Sequence, residues 1–206
     1  MDKRAELKQK ALEELQHSGV LMLDGHFDYG NGFHGRAYLN PHQLFRQPST
    51  IWRFAQDLID ILPDELVQQT EVVAGPVTGG ALLAHTIAGL LDSRRALTHP
   101  PCSFAPFNRD PSGGFTLRDF YRQELRGKRV LLADDVRNTG ETFATCAALV
   151  KEAGAQIVAT VEIYDRCEAV VDLGSPNIAL AEYEASDNFR AGQCPLCRAH
   201  VPITRF

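Results

Sequence analysis

One stretch near the middle of the chain constrains the fold most: residues 130–142, VLLADDVRNTGET. Apolar residues typical of a buried strand lead directly into two adjacent carboxylates, Asp134 and Asp135. Small, hydroxyl-bearing and glycine residues follow and open a helix. Open α/β sheets bind ligands where their parallel strands end. We therefore predict a strand, a ligand-binding turn and a helix here, in an α/β fold whose parallel sheet is covered by helices on both faces.

The remaining sequence shows the same alternation of apolar strands and amphipathic helices. Its 206 residues suit one domain, and 44% hydrophobic and 23% charged residues are typical of globular chains. Residues 24–40 are rich in glycine and aromatic side chains, which indicates extended segments and tight turns that form a lid or hood. The other predicted elements are helix 3–16, a helix capped by Ser49 or Thr50 and ending at Leu62, strand 72–74, helix 81–91, strand 129–133, helix 143–153 with Gly154 as its C-cap, and strand 155–163.

The charge balance bears on partners and location. A net charge of −5 argues against bulk affinity for nucleic acid or anionic membranes, although it allows one basic pocket for a phosphorylated ligand. No apolar run approaches the roughly 18 residues of a membrane helix, and the N-terminal residues 1–15 are charged throughout. We therefore expect a cytoplasmic protein with no nucleic-acid and no membrane partner.

The turn after Asp134 and Asp135 has the chemistry of a sugar-phosphate site. Backbone N–H groups at such a turn, aided by the helix dipole, bind a phosphate. The two carboxylates would repel a bare phosphate ester, so the ligand must also bring hydroxyl donors or a divalent cation. A ribose 5-phosphate with free 2- and 3-hydroxyls meets both demands. The alternative is structural: the acidic pair ends a strand, and Asn138 or Thr139 caps the helix.

A second glycine-rich turn, residues 75–80 (GPVTGG), follows an earlier apolar strand. Its three glycines would let the backbone approach an anion closely. The alternative is a tight connection between a strand and a helix.

Residues 130–142 resemble the 5-phosphoribosyl 1-diphosphate (PRPP) signature of type I phosphoribosyltransferases. The resemblance implies that family's fold, a central parallel sheet flanked by helices with a small hood subdomain. It also implies Mg²⁺ carried by PRPP, a homodimer, and a catalytic and ribose-binding role for Asp134 and Asp135. The further PRPP-binding residues that it implies are Val136, Arg137, Asn138, Thr139, Gly140, Glu141 and Thr142, with the pyrophosphate loop at Pro76, Val77, Thr78 and Gly79.

Two segments resemble orotate phosphoribosyltransferases in particular. Residues 25–39 are similar to their N-terminal hood, and residues 162–166, EIYDR, to the strand end that presents an arginine to the orotate carboxylate. The implied base-binding residues are Phe27, Asn138 and Arg166. A planar guanidinium can bind a carboxylate bidentately. The alternatives are a surface arginine that closes a strand and a phenylalanine that anchors a core.

Residues 104–122 stand where the family has a flexible loop that closes over the neighbouring subunit's PRPP. Residues 111–114 suit a mobile lid, and Arg109 is the only cation of residues 105–117. As a catalytic candidate, Arg109 can stabilise charge on pyrophosphate but cannot act as a general acid, because its pKa lies far above neutrality.

The C-terminal tail contains Cys194-Pro-Leu-Cys197 and His200, which together offer three candidate zinc ligands. A structural zinc site needs four ligands. A reduced tail that holds no metal is therefore the alternative.

These features predict one domain over residues 1–206, with a hood at about 19–48 plus the tail 185–206 and a core at about 49–184. The expected activity is transfer of phosphoribose from PRPP to orotate, which gives orotidine 5′-monophosphate and pyrophosphate for pyrimidine biosynthesis. One alternative is an enzyme of the same fold that uses a purine or another base. The other is a non-catalytic regulator that binds PRPP or a nucleotide, an alternative that the cation-poor loop favours.

Overall fold

The computed structural model describes residues 3–29, 32–40, 42–95, 99–167, 171–184 and 188–205. The strands of this part of the chain are β1 (Leu21–Met22), β2 (Phe27–Asp28), β3 (Phe33–Gly35), β4 (Tyr38–Leu39), β5 (Val72–Pro76), β6 (Ser103–Arg109), β7 (Phe115–Thr116), β8 (Arg129–Arg137), β9 (Gln156–Asp165), β10 (Asn177–Glu182) and β11 (Asn188–Arg190). The helices are α1 (Lys3–His17), α2 (His42–Phe45), α3 (Pro48–Ile61), α4 (Asp64–Gln69), α5 (Gly79–Arg94), α6 (Asp119–Leu125), α7 (Glu141–Glu152) and α8 (Pro195–Arg198).

The main sheet has the strand order β10-β9-β8-β5-β6-β7, which confirms the predicted α/β architecture. Its strands are parallel except for β7, which is antiparallel to β6. From β5 the chain continues to β6 on one side, and β8 then pairs with β5 on the other side. The strand order therefore reverses between β5 and β8, and such a reversal opens a crevice at the carboxyl ends of the two strands.

Both faces of the main sheet are covered by helices. One apolar core contains residues of α1, α3 and α5, such as Leu15, Phe54 and Ile87. The second core contains residues of α6 and α7, such as Leu125 and Val150. Because both faces are buried, the central strands are continuous apolar runs rather than alternating ones. No helix in the described residues has the length and apolar character needed to cross a membrane.

The start of α3 and the end of β8 differ from the sequence prediction. Helix α3 begins at Pro48 after the extended residue Gln47, so neither Ser49 nor Thr50 caps it, because a proline suits the first helical turn. Strand β8 continues to residue 137, because its pairing with β9 extends beyond the apolar run, and the acidic pair is therefore part of the strand. The C-cap of α7 is Ala153 rather than the predicted Gly154, which follows it with a φ of 77° in the left-handed region that ends many helices.

A small antiparallel sheet, in the order β11-β3-β2, joins the N-terminal segment to the C-terminal tail. Phe27 of β2 lies opposite Gly35 of β3, and Phe189 of β11 lies opposite His34. Strands β1 and β4 form a separate antiparallel pair. Residues 30–31 and 185–187 of the predicted hood lie outside the described residues. The division into hood and core stays a prediction.

The segment 104–122, predicted as a mobile loop, contains an antiparallel pair in which Arg109 of β6 lies opposite Phe115 of β7. Asp110 stabilises the turn between the two strands, since its Oδ1 accepts the N–H groups of Ser112 at 2.8 Å and of Gly114 at 3.0 Å. The sequence prediction missed this hairpin because the turn-forming residues alone were assigned and the short strands on either side were not.

Candidate active site

The two predicted turns meet at the crevice between β5 and β8. A Cβ atom on Gly79 would collide with the carboxylate of Asp135, and one on Gly80 would lie 2.7 Å from Asp134 Oδ1. These glycines are therefore required for the close approach of the two turns. The turn between β5 and α5 contains a cis peptide bond between Val77 and Thr78. Residues 76–79, predicted to bind pyrophosphate, thus lie beside the acidic pair.

The acidic pair combines one buried and one half-buried carboxyl. Asp134 is 7% exposed, and burial, with the negative charges of Asp135 and Glu162, raises the pKa of its carboxyl well above the usual range. Asp134 Oδ1 accepts the N–H of Asp135 at 2.9 Å, and Asp135 Oδ1 accepts the N–H of Val136 at 2.9 Å. Asp134 therefore holds a proton more readily than an ordinary aspartic acid does. Such a pair can bind two neighbouring hydroxyl groups.

Helix α7 begins at Glu141, shortly after the end of β8, and presents its N-terminus at the same edge of the sheet. Its N-cap residue is Gly140, with a φ of 85°, so neither Asn138 nor Thr139, the caps of the structural alternative, is the N-cap. A glycine takes this position because left-handed backbone is strained for other residues. The first N–H groups of a helix lack partners within it and, with the helix dipole, bind anions. Glu141 and Thr142 belong to this first turn.

Arg137 makes an ion pair that the sequence analysis did not find. Its Nη1 lies 2.8 Å from Asp165 Oδ2, and both side chains are largely buried. The guanidinium lines a separate cavity, together with Thr160 and Asn177. Asp165 holds this side chain, so Arg137 can contribute its main chain to the turn at residues 136–142, called the phosphate turn because it is predicted to bind the 5-phosphate. The sequence signal for this pair is the Asp165 of the EIYDR segment, one strand away from Arg137.

A cavity of about 400 Å³ lies beside the phosphate turn and brings Asn138 and Arg166 together. The guanidinium of Arg166 donates from Nη2 to Asn188 Oδ1 at 2.9 Å, and its Cζ lies 5.0 Å from the centre of the Tyr29 ring. The lining comes from the hood, the phosphate turn, the end of β9 and the tail: Tyr29, Phe33, Asn138, Thr139, Glu141, Arg166 and Asn188.

Phe27, predicted to bind the base, lies in the hood interior instead. It is 5% exposed, its ring centre lies 5.8 Å from that of Tyr38, and it packs against Gly25. The aromatic side chains that line the cavity are Tyr29 and Phe33. The sequence signal was the density of aromatic residues in 25–39, but the pattern did not indicate which of them face the cavity.

Arg109, the predicted catalytic cation, is the last residue of β6. Strand β6 is parallel to β5, so Arg109 lies at the same edge of the sheet as the two turns. Its Cζ lies 5.0 Å from the centre of the Phe115 ring, a cation–π contact within the hairpin.

A buried acid, Glu162, lies one strand away from Asp134, with which it is paired in register between β9 and β8. Its Oε1 accepts a hydrogen bond from Asn177 Nδ2 at 2.7 Å. Burial raises the pKa of Glu162 from 4.5 to about 8. Glu162 is the first residue of the EIYDR segment, but sequence reasoning assigned it no role, because attention there fell on Arg166.

The predicted zinc ligands are only partly brought together. Cys194 and Cys197 are neighbours, whereas His200 is exposed and is not a member of their cluster in the described residues. Two histidines of the hood, His26 and His34, complete the cluster instead. They were missed because they are far from the tail in sequence.

The crevice, the acidic pair and the anion-binding helix together define an enzyme that binds a phosphorylated ribose. The family model of the phosphoribosyl transferase domain matches residues 51–173. The chain belongs to the phosphoribosyltransferase family, whose members are PRPP-dependent pentosyltransferases.

Curated relatives cover almost the whole chain. An orotate phosphoribosyltransferase of Erythrobacter litoralis is 34% identical over 197 residues, which are 96% of this chain and 95% of that protein. One of Caldicellulosiruptor bescii is 32% identical over 184 residues, 89% of each chain.

Solved structures share the fold. The orotate phosphoribosyltransferase of Aeropyrum pernix has a TM-score of 0.65 at 20% identity and covers 82% of this chain and 92% of its own. The adenine phosphoribosyltransferase of Thermoanaerobacter pseudethanolicus has a TM-score of 0.61 at 17% identity and covers 84% of this chain and 99% of its own. The chain therefore has the type I phosphoribosyltransferase fold. Because enzymes for two different bases share it, the fold alone does not select the base.

Proposed function

We propose that this protein transfers the phosphoribosyl group of PRPP to orotate and releases orotidine 5′-monophosphate and pyrophosphate. The observation that carries the choice of base is Arg166, whose guanidinium lines a 400 Å³ cavity beside the phosphate turn. Orotate is anionic, and a guanidinium is suited to its carboxylate. The curated relatives named orotate phosphoribosyltransferase support the same choice.

PRPP would occupy the crevice between β5 and β8. Asp134 and Asp135 would accept hydrogen bonds from the ribose hydroxyls, the turn at 136–142 would surround the 5-phosphate, and the turn at 76–79 would surround the pyrophosphate. The support for this arrangement is the contact between Gly79 and Asp135, since it places the two turns side by side. The helix N-termini of α5 and α7 both favour negative charge at this edge.

The reaction breaks the bond between the ribose anomeric carbon and the pyrophosphate oxygen, and a ring nitrogen of orotate forms the new bond to that carbon and gives up its proton to the leaving pyrophosphate or to water. Negative charge grows on the leaving pyrophosphate while the ribose becomes oxocarbenium-like. Arg109 would stabilise the first change, and the carboxyl groups of the acidic pair would stabilise the second. Arg109 supplies charge rather than a proton, since an arginine stays protonated.

The acidic pair also fits a magnesium ion carried by PRPP. Carboxylate oxygens are ligands that Mg²⁺ prefers, usually together with substrate phosphates, and Asp135 offers such oxygens at the crevice. When bound, Mg²⁺ would neutralise negative charge on the pyrophosphate.

The cavity beside the phosphate turn would hold the base. Arg166 would bind the orotate carboxylate, Asn138 would offer hydrogen bonds to the ring, and Tyr29 and Phe33 would supply apolar contact. Asn188 holds the guanidinium of Arg166 from the tail, so the position of this arginine depends on both the sheet and the tail.

A homodimer in the cytoplasm is part of the proposal on the family resemblance alone. Light scattering of the purified chain at several concentrations would measure the oligomeric state, and a chain that stays monomeric would contradict the dimer.

Turnover with PRPP across a panel of bases tests the proposed function. Orotate, uracil and adenine form the panel, because uracil is orotate without its carboxylate. We expect turnover with orotate and at least roughly tenfold lower kcat/KM with uracil, the worth of one charged hydrogen bond. Preference for adenine would favour the purine alternative. Binding of PRPP without turnover of any base would favour the regulator.

A further inference from the structure

Four potential metal ligands converge where the hood meets the tail: His26, His34, Cys194 and Cys197. One ligand atom from each lies within 4.8 Å of every other. The two histidines belong to the N-terminal segment and the two cysteines to the tail, so the cluster joins parts of the chain that are 168 residues apart. The first three residues are buried, and Cys197 is exposed, which gives a metal a path of entry.

The separations within the cluster match a tetrahedron of zinc ligands. Zinc binds sulfur at about 2.3 Å and nitrogen at about 2.0–2.1 Å, so ideal tetrahedral edges are about 3.3–3.4 Å between two nitrogens and about 3.5 Å between nitrogen and sulfur. His26 Nε2 lies 3.3 Å from His34 Nδ1 and 3.5 Å from Cys194 Sγ. Cys197 Sγ lies 3.6 Å from His26 Nε2 and 3.3 Å from His34 Nδ1. These four edges therefore leave space for one ion at the centre of the cluster.

The second ring nitrogen of each histidine is oriented as a metal-bound imidazole requires. His26 Nδ1 lies 2.8 Å from the carbonyl oxygen of Val201, so it donates a proton there and leaves Nε2 with its lone pair toward the cluster. His34 Nε2 faces Asp28 Oδ1 at 3.9 Å, which leaves Nδ1 toward the cluster. Carbonyl and carboxylate partners of this kind fix the tautomer and the ring orientation of zinc-bound histidines.

We propose that His26, His34, Cys194 and Cys197 bind one structural Zn²⁺ that fastens the C-terminal tail to the N-terminal hood. Two thiolates and two imidazoles in a tetrahedron are a ligand set that selects zinc. Binding converts two thiols to thiolates and releases two protons, with no change of oxidation state. All four positions are filled by protein, so the ion has no open position for catalysis. Zinc binding at this site does not require the reaction proposed above.

The zinc site lies next to the strands that form the base cavity. His34 neighbours Phe33 in β3, and β3 pairs with β11, whose first residue, Asn188, holds Arg166. Zinc would therefore stabilise the hood-tail sheet and, through it, the position of Arg166. Since the cluster closes a long loop of chain, its loss should have a large effect on thermal stability.

Metal analysis of the full-length protein tests the site directly. We expect one zinc per chain after purification in zinc-containing buffer and dialysis, measured by mass spectrometry of the metal. Cobalt substituted for zinc should give the visible absorption bands of tetrahedral Co²⁺ with thiolate ligands. Removal of zinc with a chelator should lower the Tm, and added zinc should restore it. Less than a tenth of an equivalent of zinc in reduced wild-type protein, or a Cys194–Cys197 disulfide in protein purified under reducing conditions, would overturn the proposal.

Variants identify the ligands. His34→Gln and Cys197→Ser should weaken zinc binding by at least roughly a hundredfold. Asp28→Asn removes the negative charge that faces His34 and that also pairs with Arg205, and it should weaken zinc binding by about ten- to a hundredfold. His200→Gln and Cys167→Ser are the matched controls and should keep full zinc content. Loss of zinc in His200→Gln with retention in His34→Gln would overturn the four-residue site. If a ligand variant does not fold, the stoichiometry and the cobalt spectrum of the wild-type protein still decide.

Discussion

The edge of the main sheet and the junction of hood and tail are both built for ligands, but they are encoded differently. At the sheet edge, the groups proposed to bind PRPP come from two contiguous stretches, 75–80 and 134–142, which follow neighbouring strands. At the junction, the base cavity and the Cys and His cluster take residues from segments as distant as 26–34 and 188–197. The geometry of a contiguous motif is largely determined by its own sequence. The geometry of a site formed by distant segments depends on strand pairings, which no local sequence pattern predicts.

The largest effect is expected at the sheet edge, from Asp134→Asn combined with Asp135→Asn. Each lost hydrogen bond to a charged group costs about 1.5–3 kcal/mol, so PRPP affinity should fall by at least roughly a hundredfold. Calorimetric titration with PRPP measures this change. The single variants refine it, because burial raises the pKa of Asp134 and so favours its neutral form. Asp135→Asn should therefore cost more affinity than Asp134→Asn.

Circular dichroism and thermal melting are the controls for this pair of variants. A folded double variant with unchanged PRPP affinity would refute the assignment of residues 134–142 to PRPP. Equal losses of PRPP affinity in the two single variants would contradict the expectation that the neutral form is favoured at Asp134.

The next largest effect is expected for Arg109→Ala, at the end of β6. Charge grows on pyrophosphate as its bond breaks, so this arginine would act mainly in the transition state. We expect kcat to fall by about a hundredfold with little change in PRPP affinity. Arg109→Lys should recover part of the rate, because it restores the charge without the bidentate geometry. Steady-state kinetics measure kcat and titrations measure PRPP affinity for both variants. A kcat that is unchanged in Arg109→Ala would exclude this residue from catalysis.

At the junction, Arg166→Ala should raise the KM for orotate by about ten- to a hundredfold, because one charged hydrogen-bonded contact is lost. The KM for PRPP should change little. Arg53→Ala is a suitable control, since Arg53 lies on α3, forms an ion pair with Glu14 and is not among the residues that line the cavity. Steady-state kinetics with each substrate varied gives both constants. An unchanged KM for orotate in Arg166→Ala would contradict the role of Arg166 and favour the purine alternative.

The sequence predicted most of the sheet because the physical causes are local, since an apolar run bounded by turn residues is typical of a buried strand. An acidic pair followed by a glycine-rich turn and a helix is also a local pattern, and the PRPP site assigned to it stays a prediction. Sequence reasoning did not determine side-chain directions or distant partners. The ion pair between the guanidinium of Arg137 and Asp165 of the next strand is one example.

The junction was predicted less well for the same reason. Phe27, Tyr29 and Phe33 are chemically similar, and only the pairing of β2 with β3 and of β3 with β11 determines which of them face the cavity. The zinc ligands show the same limit. Spacing alone identified Cys194 and Cys197 and suggested the nearby His200, whereas the fold supplies histidines from the opposite end of the chain.

We expect the smallest change in substrate binding and turnover for Glu162→Gln. This variant tests how the raised pKa of a buried carboxyl next to the sheet edge changes the stability of the fold with pH. The pKa of Glu162 is about 8 in the folded chain against an ordinary 4.5, so the folded state binds this proton more tightly than the unfolded state. The free energy of unfolding should therefore fall as the pH rises from about 4.5 to about 8, and then level off. The size of the fall is about 1.4 kcal/mol for each unit of pKa difference, a few kcal/mol in all.

Glutamine keeps an oxygen for the hydrogen bond from Asn177 and has no proton to lose. Urea unfolding at about pH 5 and about pH 8.5 should show a smaller loss of stability in Glu162→Gln than in the wild type, and a more stable variant at the higher pH. Glu13→Gln is the control, because Glu13 is exposed on α1 and accepts a hydrogen bond from Gln9 of the same helix. Its pH profile should follow that of the wild type. If Glu162→Gln also follows the wild-type profile, Glu162 is ionised in the folded chain, and the charge at the sheet edge is then more negative than the buried carboxyls imply.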